Sequence, residues 1–536
     1  MDEKFNQFLD RYYNRIDTLS SRSNLKYFNA SISGSEEDYD ESAKLQLEIS
    51  KLYSDKELFR ELKKFKESNA ITDSVKQREL ELIYNEFAAN QFDEELHKEI
   101  IKLSTKIEKK FSTFRAEIDG KKITDNAIDD ILEISTNSAE IKTAWEESKK
   151  VGKVVADDVI KLVKLRNKGA RELGFKNFHD MSLKLSEQDS DSLDKLFNEL
   201  DRLIENSFVE LKEEIDQYLS NKFGVEKGKL MPWHYEDKYF QQGPKIYNGN
   251  ADKYFKKQDI SKLTQDYFNG INLNIDDLID KSDLYEKEGK YQHAYCIDID
   301  RAGDGRVLCN IKENQRWMGT MLHEFGHAVY DKEISSKLPW QLRTHAQIFT
   351  TEAIAMLFGR LAHNPEWIRE MIGISEKETK EIAEPSFNSL RSEQLTFSRW
   401  VQVIYRFEKK MYANPDQDLN LLWWQLVEKY QLLKKPEGRD EPDWASKIHI
   451  ALYPAYYHNY MLGELLASQL HNYITTKVLK PGKNSTDCFV GEPEVGNYLK
   501  HLFFSYGALY PWNELIERAT GEKLTPKYYA EQFVMK

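Results

Sequence analysis

The chain has 536 residues, 40% hydrophobic and 31% charged, with Lys plus Arg at 77, Asp plus Glu at 90 and a formal charge of −13. That length can bury one large core or several, and the acidic balance argues against general binding to nucleic acid or anionic lipid, both of which need a basic surface. The three cysteines, Cys296, Cys309 and Cys488, form no CxxC pair and cannot all pair with one another, so no disulfide framework is expected.

The opening "MDEKFNQFLDRYYNRID" reads as an acidic amphipathic helix, without the basic and then apolar order of a leader. No apolar run approaches the ~18 residues a spanning helix needs. The expected setting is the cytoplasm, with no membrane partner; a leader already removed would leave no trace in this reading. Two further stretches, "ELFRELKKFKESNAITDSVKQRELELIYNEF" and "DSLDKLFNELDRLIENSFVELKEEIDQYL", keep an apolar spacing of three and four and predict long amphipathic helices. Their charge runs are read as solvated helix faces. Gly, Pro and Asn cluster in "FQQGPKIYNGNADK", 240–253, and mark a break. The expected domains are therefore an N-terminal helical half, 1–240, and a catalytic half, 241–536, forming one continuous unit.

Within "YQHAYCIDIDRAGDGRVLCNI", two short runs, His293–Ile299 and Arg306–Ile311, flank "DRAGDG" and predict a β-hairpin. Helices then resume at "RWMGTMLHEFGHAVYDKEI", with Met318, Met321, Leu322, Phe325, Ala328 and Val329 as its apolar face, and at "TTEAIAMLFGRLAH". Loops are expected at "YANPDQD", "KKPEGRDEPD" and "PGKNSTDCFVGEPEVG". The expected fold is mostly α, with one small sheet beside the helix that carries "HEFGH".

That segment holds His323 and His327, four apart, with Glu324 between them. On a helix, residues i and i+4 share a face one turn apart, so both imidazoles can reach one ion. Glu324 projects beside them and can reach an attacking water without being a ligand, as in the HExxH pattern. Zinc suits neutral imidazole, acidifies water towards a pKa of ~7 and polarises a carbonyl while a carboxylate accepts the proton. With 12 His and 90 acids in the chain, roughly 0.05 such patterns arise by chance. The alternative is a plain helix carrying two polar residues. Glu352, on the next predicted helix and 25 residues beyond His327, is a candidate third ligand. Asp331 and Glu333 are alternatives, but they share the motif helix and would strain to complete the sphere. Three ligands and an open position define a catalytic site for one Zn2+. Gly326 would let another backbone approach the motif helix.

A second constellation, "KIHIALYPAYYHNYMLGELL", brings together Lys447, His449, Tyr453, Tyr456, Tyr457, His458 and Tyr460. Tyr hydroxyl and His N–H donors can stabilise an oxyanion. An aromatic-rich buried helix whose hydroxyls bond locally fits the same residue types.

These segments resemble the α-helical HExxH zinc peptidases: the thimet oligopeptidase and oligoendopeptidase F family, and the angiotensin-converting enzyme family. "HEFGHA" and the gap to Glu352 are most similar to the first; "EAI" and "KIHIALYPAYYHNY" are closer to the second. "QHAY", "RNKGARELGFKNFHDMSLKL" and "PWNELIERATGEKLTP" add to the resemblance, which is specific over about 290–536 and weaker over the first 160 residues. It implies two helical halves around a deep cleft, with short peptides as substrates. It further implies His323, His327 and Glu352 as zinc ligands, Glu324 as the base, and His449 and Tyr460 as donors to the substrate carbonyl. Lys447 and Tyr457 would grip a terminal carboxylate, and His293 and Ala294 would offer backbone groups to an extended peptide. The His449–Tyr460 spacing is one residue longer than in the converting enzyme and one shorter than in the thimet family, so Tyr456 stands as a candidate beside Tyr457. The converting enzyme's chloride-binding residues have no counterpart that can be placed here.

The expected function is zinc-dependent hydrolysis of short peptides, as an oligoendopeptidase or a dipeptidyl carboxypeptidase, by a monomer or homodimer. One alternative is a carboxypeptidase removing single residues, to which "HAVYD" is similar, although its second-helix His-Glu-Ser-Gln is replaced by "TTEAI". Another is a non-catalytic helical protein that binds zinc or peptide.

Overall fold

The computed structural model describes residues 2–247, 249, 251–479 and 487–534. The fold is mostly helical, and the sheets among the described residues are two antiparallel two-stranded hairpins. Among the described residues no helix is long and apolar enough to cross a membrane.

Two compact units emerge, and neither follows a single cut near residue 240. The first gathers Met1–Gln91, Gly249–Phe387 and Leu462–Tyr529; the second gathers Phe92–Asn248, Asn388–Met461 and Ala530–Lys536. The first ninety residues belong with the motif region because of their aromatic stripe. Phe5, Phe8, Tyr12 and Ile16, spaced three and four apart on helix Asp2–Ser33, bury into one cluster with Leu62, Phe65 and Trp340. Three of the boundaries fall inside helices, Glu376–Ala413, His458–Tyr473 and Lys527–Phe533.

In the first unit, helix Asp2–Ser33 turns back into helix Glu36–Tyr53 at Gly34, whose φ is +72°. A Cβ there would stand 2.8 Å from the carbonyl oxygen of Gly289. The stretch from Glu57 to Phe87, expected as one long helical run, is two helices, Lys56–Ser68 and Ser74–Ala89. Asn69 turns left-handed at φ +49° to end the first, and the Asp73 side chain accepts from the Lys76 N–H to start the second. The predicted hairpin is present as strands Tyr295–Asp298 and Gly305–Leu308, paired Tyr295 to Leu308 and Asp298 to Gly305. Helix Gln315–Glu333 follows, started by Asn314 accepting from the Trp317 N–H, and it buries the predicted apolar face. Helix Ile348–Gly359 packs on it.

In the second unit, helices Ser138–Glu172 and Ser190–Phe223 dominate. Leu193, Phe197, Leu200, Ile204, Phe208, Leu211, Ile215 and Leu219 form the buried stripe of the latter, as their spacing predicts. A small hairpin absent from the sequence reading pairs Ala116–Ile118 with Lys121–Ile123 around Asp119 and Gly120, at φ +52° and +73°. The segment 453–457, inside a stretch that also fitted a single helix, is not helical: Ile448–Leu452 ends before it and His458–Tyr473 starts after it.

Candidate active site

The motif helix and helix Ile348–Gly359 bring His323, His327 and Glu352 together, with one ligand atom from each within 4.8 Å of the others. The Glu352 Oε2 lies 3.8 Å from His323 Nε2 and 4.0 Å from His327 Nε2. Donors about 2.1 Å from a tetrahedral ion stand about 3.4 Å apart, so the two carboxylate–imidazole gaps close by about half an ångström and no pair by more than about 1.4 Å to seat zinc. The other two acids considered have their own partners. Asp331 Oδ1 pairs with His345 Nε2 at 2.6 Å, and Glu333 pairs with Lys500 at 3.2 Å.

Backbone approach sets this geometry. A Cβ on Gly326 would lie 2.9 Å from the Ala355 Cα, so the two helices meet only because Gly326 has no side chain. Gly359 and Gly463 do the same beside the ligands, where added Cβ atoms would come 3.3 Å from His323 Cβ and 3.2 Å from Glu352 Cβ. The Thr351 Oγ1 bonds His327 Nδ1 at 2.6 Å, which leaves Nε2 facing Glu352. Sequence reasoning identified Gly326 but not Thr351.

Burial drives the electrostatics of the cluster. It pushes His323 down to about 4 and His327 well below its ordinary value, keeping both rings in the neutral, ligating form. Burial, with the Glu464 charge second, lifts the Glu352 carboxyl to about 7. Burial, with the Glu352 charge second, lifts Glu324 to about 8, while the backbone N–H of Cys296 pulls the other way. Carboxylates crowded in a low-dielectric site are what a bound cation relieves.

The Cys296 contact also orients the hairpin strand. Ile299 donates to the Asp304 carbonyl, so in this register alternate residues turn their polar groups outward. Cys296 meets Glu324 and the Asp298 carbonyl accepts from Asn24; Ala294 precedes the strand, and the same alternation carried one residue further would turn it to this edge. His293 beside it is exposed, with its ring 5.5 Å from that of Tyr291.

The remaining candidates belong to the second unit. Lys447 Nζ donates to Gln241 Oε1 at 2.7 Å and lies 5.2–5.6 Å from the ring centres of Tyr239, Trp400 and Tyr457. Among the described residues it has no carboxylate within ion-pair distance, and burial pushes it down to about 8. Tyr457, 6% exposed, accepts from Trp400 Nε1 at 2.9 Å. The His449 ring stands 5.1 Å from that of Tyr457 and its buried Nδ1 has no partner among the described residues; burial, then the Lys447 charge, pushes it down to about 4. Tyr460 packs edge-on against Tyr457 and Tyr456. Gln241 was missed by the sequence reading: it lies in the stretch noted only as a break.

Beneath these tyrosines, Glu408 is 2% exposed and accepts the Ala455 N–H at 3.3 Å. Burial lifts its carboxyl to about 8, against that bond and the Arg166 charge. Its folded pKa therefore exceeds the ordinary 4.5, the folded state holds the proton more tightly, and stability falls as pH rises from about 4.5 to about 8. Glu408→Gln keeps an oxygen for Ala455 and removes the titration. Its expected melting temperature at pH 8 exceeds the wild type's, by a gain on the order of a few kcal/mol that shrinks towards pH 5, as calorimetry at both pH values would read.

The fold and the first-unit cluster define a helical HExxH metallohydrolase: two imidazoles and a carboxylate around one centre, with a further carboxylate beside it. The family model described as Peptidase_M2, angiotensin-converting enzyme, matches residues 1–235 and 241–529. The chain belongs to the angiotensin-converting enzyme family and is a zinc-dependent metallopeptidase. Of the two families its motifs resemble, this is the one the match supports, and the match extends over the N-terminal residues where the resemblance was weak.

Proposed function

We propose that this zinc peptidase is a peptidyl-dipeptidase, removing dipeptides from the carboxyl ends of short peptides. The observation that carries this reading is Lys447: an ammonium largely withdrawn from water, bonded to an amide oxygen, and with no carboxylate among the described residues within ion-pair distance, Asp237 acting on it only from further off. Such a cation is costly to desolvate alone, and a substrate's terminal carboxylate supplies the missing charge. Tyr457 accepts from Trp400, so its own proton is available to that carboxylate.

In this reading His323, His327 and Glu352 hold the zinc, which supplies the Lewis acidity that acidifies water and polarises the scissile carbonyl. Glu324, steadied by the Cys296 N–H, takes the proton of the attacking water and passes it to the leaving amine. His449 and Tyr460 donate to the carbonyl oxygen as charge develops on it. The outward groups of Ala294 pair with the extended substrate as an added strand.

The test is one peptide presented as free acid and as C-terminal amide, with products read by mass spectrometry. The free acid is expected to lose a dipeptide with the lower KM. Lys447→Met is expected to raise that KM ~10–100-fold, in line with a charge-assisted bond, and to leave the amide's nearly unchanged. Equal cleavage of both forms by the wild type would remove the carboxylate grip and favour the endopeptidase mode.

A further inference from the structure

We infer that Gln188 is a positioning residue that aims Tyr457 and Tyr460, by clamping the point where the turn that carries Tyr457 passes into the helix that carries Tyr460; the inference rests on the roles just proposed for those tyrosines. Ala455, in that turn, stands at φ +55°. A non-glycine residue in the left-handed region is uncommon and persists where its surroundings hold it. Two side chains from elsewhere in the same unit hold the segment, one at Ala455 and the other at the two residues that open the next helix. Glu408 accepts the Ala455 N–H from below. Gln188, 3% exposed, sits in the short loop between helices Phe178–Leu185 and Ser190–Phe223. Its Oε1 bonds His458 Nε2 at 2.7 Å and its Nε2 donates to Asn459 Oδ1 at 2.7 Å.

One amide thus grips two consecutive residues, and Tyr457 and Tyr460 flank that pair. Both gripped residues are buried, His458 at 1% and Asn459 at 4% exposure. His458 is neutral at working pH, since burial pushes it down to about 3, and the tautomer with the proton on Nε2 satisfies the bond. The grip needs one acceptor and one donor on a single rigid plane, which a primary amide provides and a thioether does not. Ring contacts then spread any displacement: His449 to Tyr457 at 5.1 Å, Tyr457 to Tyr460 at 5.3 Å and Tyr456 to Tyr460 at 5.5 Å.

The experiment compares Gln188→Met, of similar shape, and Asn459→Ala, which removes one of the two bonds, using the free-acid and amide peptides. Zinc content and melting temperature are recorded for each variant. Gln188→Met is expected to lower kcat ~10-fold or more, as a misplacement of about an ångström does. It is also expected to raise KM ~5-fold or more for the free acid and not for the amide, at full zinc content, with Asn459→Ala intermediate. If Gln188→Met does not fold, Asn459→Ala carries the same test. A kcat that falls only with the folded fraction at constant KM, or unchanged kinetics in both variants, overturns the positioning role. Tyr457→Phe and Lys447→Met are run in parallel. If they leave the free-acid preference intact, the peptidyl-dipeptidase reading fails; if they abolish it while the Gln188 and Asn459 variants keep it, only the positioning role fails.

Discussion

Glu324→Gln is expected to lower kcat by ~10³-fold or more while leaving one zinc per chain, towards the upper end of what a general acid–base residue contributes. Glutamine keeps the shape of the side chain and an oxygen that can accept the Cys296 N–H, so the strand contact survives. It cannot take a proton. The residue is 8% exposed, and Glu352, the acid whose charge acts on it, is itself a candidate metal ligand and so is not free to replace it. KM for a fluorogenic peptide should change little, because the substitution removes an interaction made in the transition state. Rates within tenfold of wild type would mean that proton transfer runs through another group, and the role given to Glu324 would be wrong.

Glu352→Ala should act at the step before chemistry. Loss of even an outer partner of a ligand costs 10–100-fold in metal affinity, and Glu352 would be a direct ligand, so zinc should bind at least ~100-fold more weakly and activity should vanish at trace zinc. A thermal readout separates this from damage to the fold. Zinc at 100 times its Kd stabilises a protein by about 2.7 kcal/mol, so adding zinc to metal-free wild type should raise the melting temperature clearly. The variant should show no such rise. Its metal-free form should melt no lower than metal-free wild type, because Glu352 and Glu464 repel one another in a site with little water. A variant that still gains stability with zinc would place the third ligand elsewhere.

The zinc cluster was legible because it depends on helical periodicity. His323 and His327 are one turn apart, and Glu352 lies on the next helix, so local spacing alone nearly assembled the set. Asp331 and Glu333, already disfavoured because they share the motif helix, are set aside further by their ion pairs with His345 and Lys500. What stayed hidden depends on distance along the chain. Gln241 lies 206 residues from Lys447 and Gln188 lies 270 from His458, and no pattern within a window can pair them. The division into units was hidden for a related reason, since three boundaries run through continuous helices. The hairpin around Asp119 and Gly120 escaped because its three-residue strands are mostly exposed and carry too little alternation to stand out. The break at Asn69 escaped because the apolar spacing resumes in phase on either side.

Gly326, Gly359 and Gly463 give the metal centre a further property. Their missing side chains let three helices press backbone against backbone, so the ligand atoms converge through ordinary helix packing and need no ion to gather them. Chelation should then leave a native, empty receptor, not an unravelled chain, and activity should return on adding metal without any refolding delay. Loading should then be able to follow folding by any interval, with one pool of finished protein turned on or off by added or removed zinc.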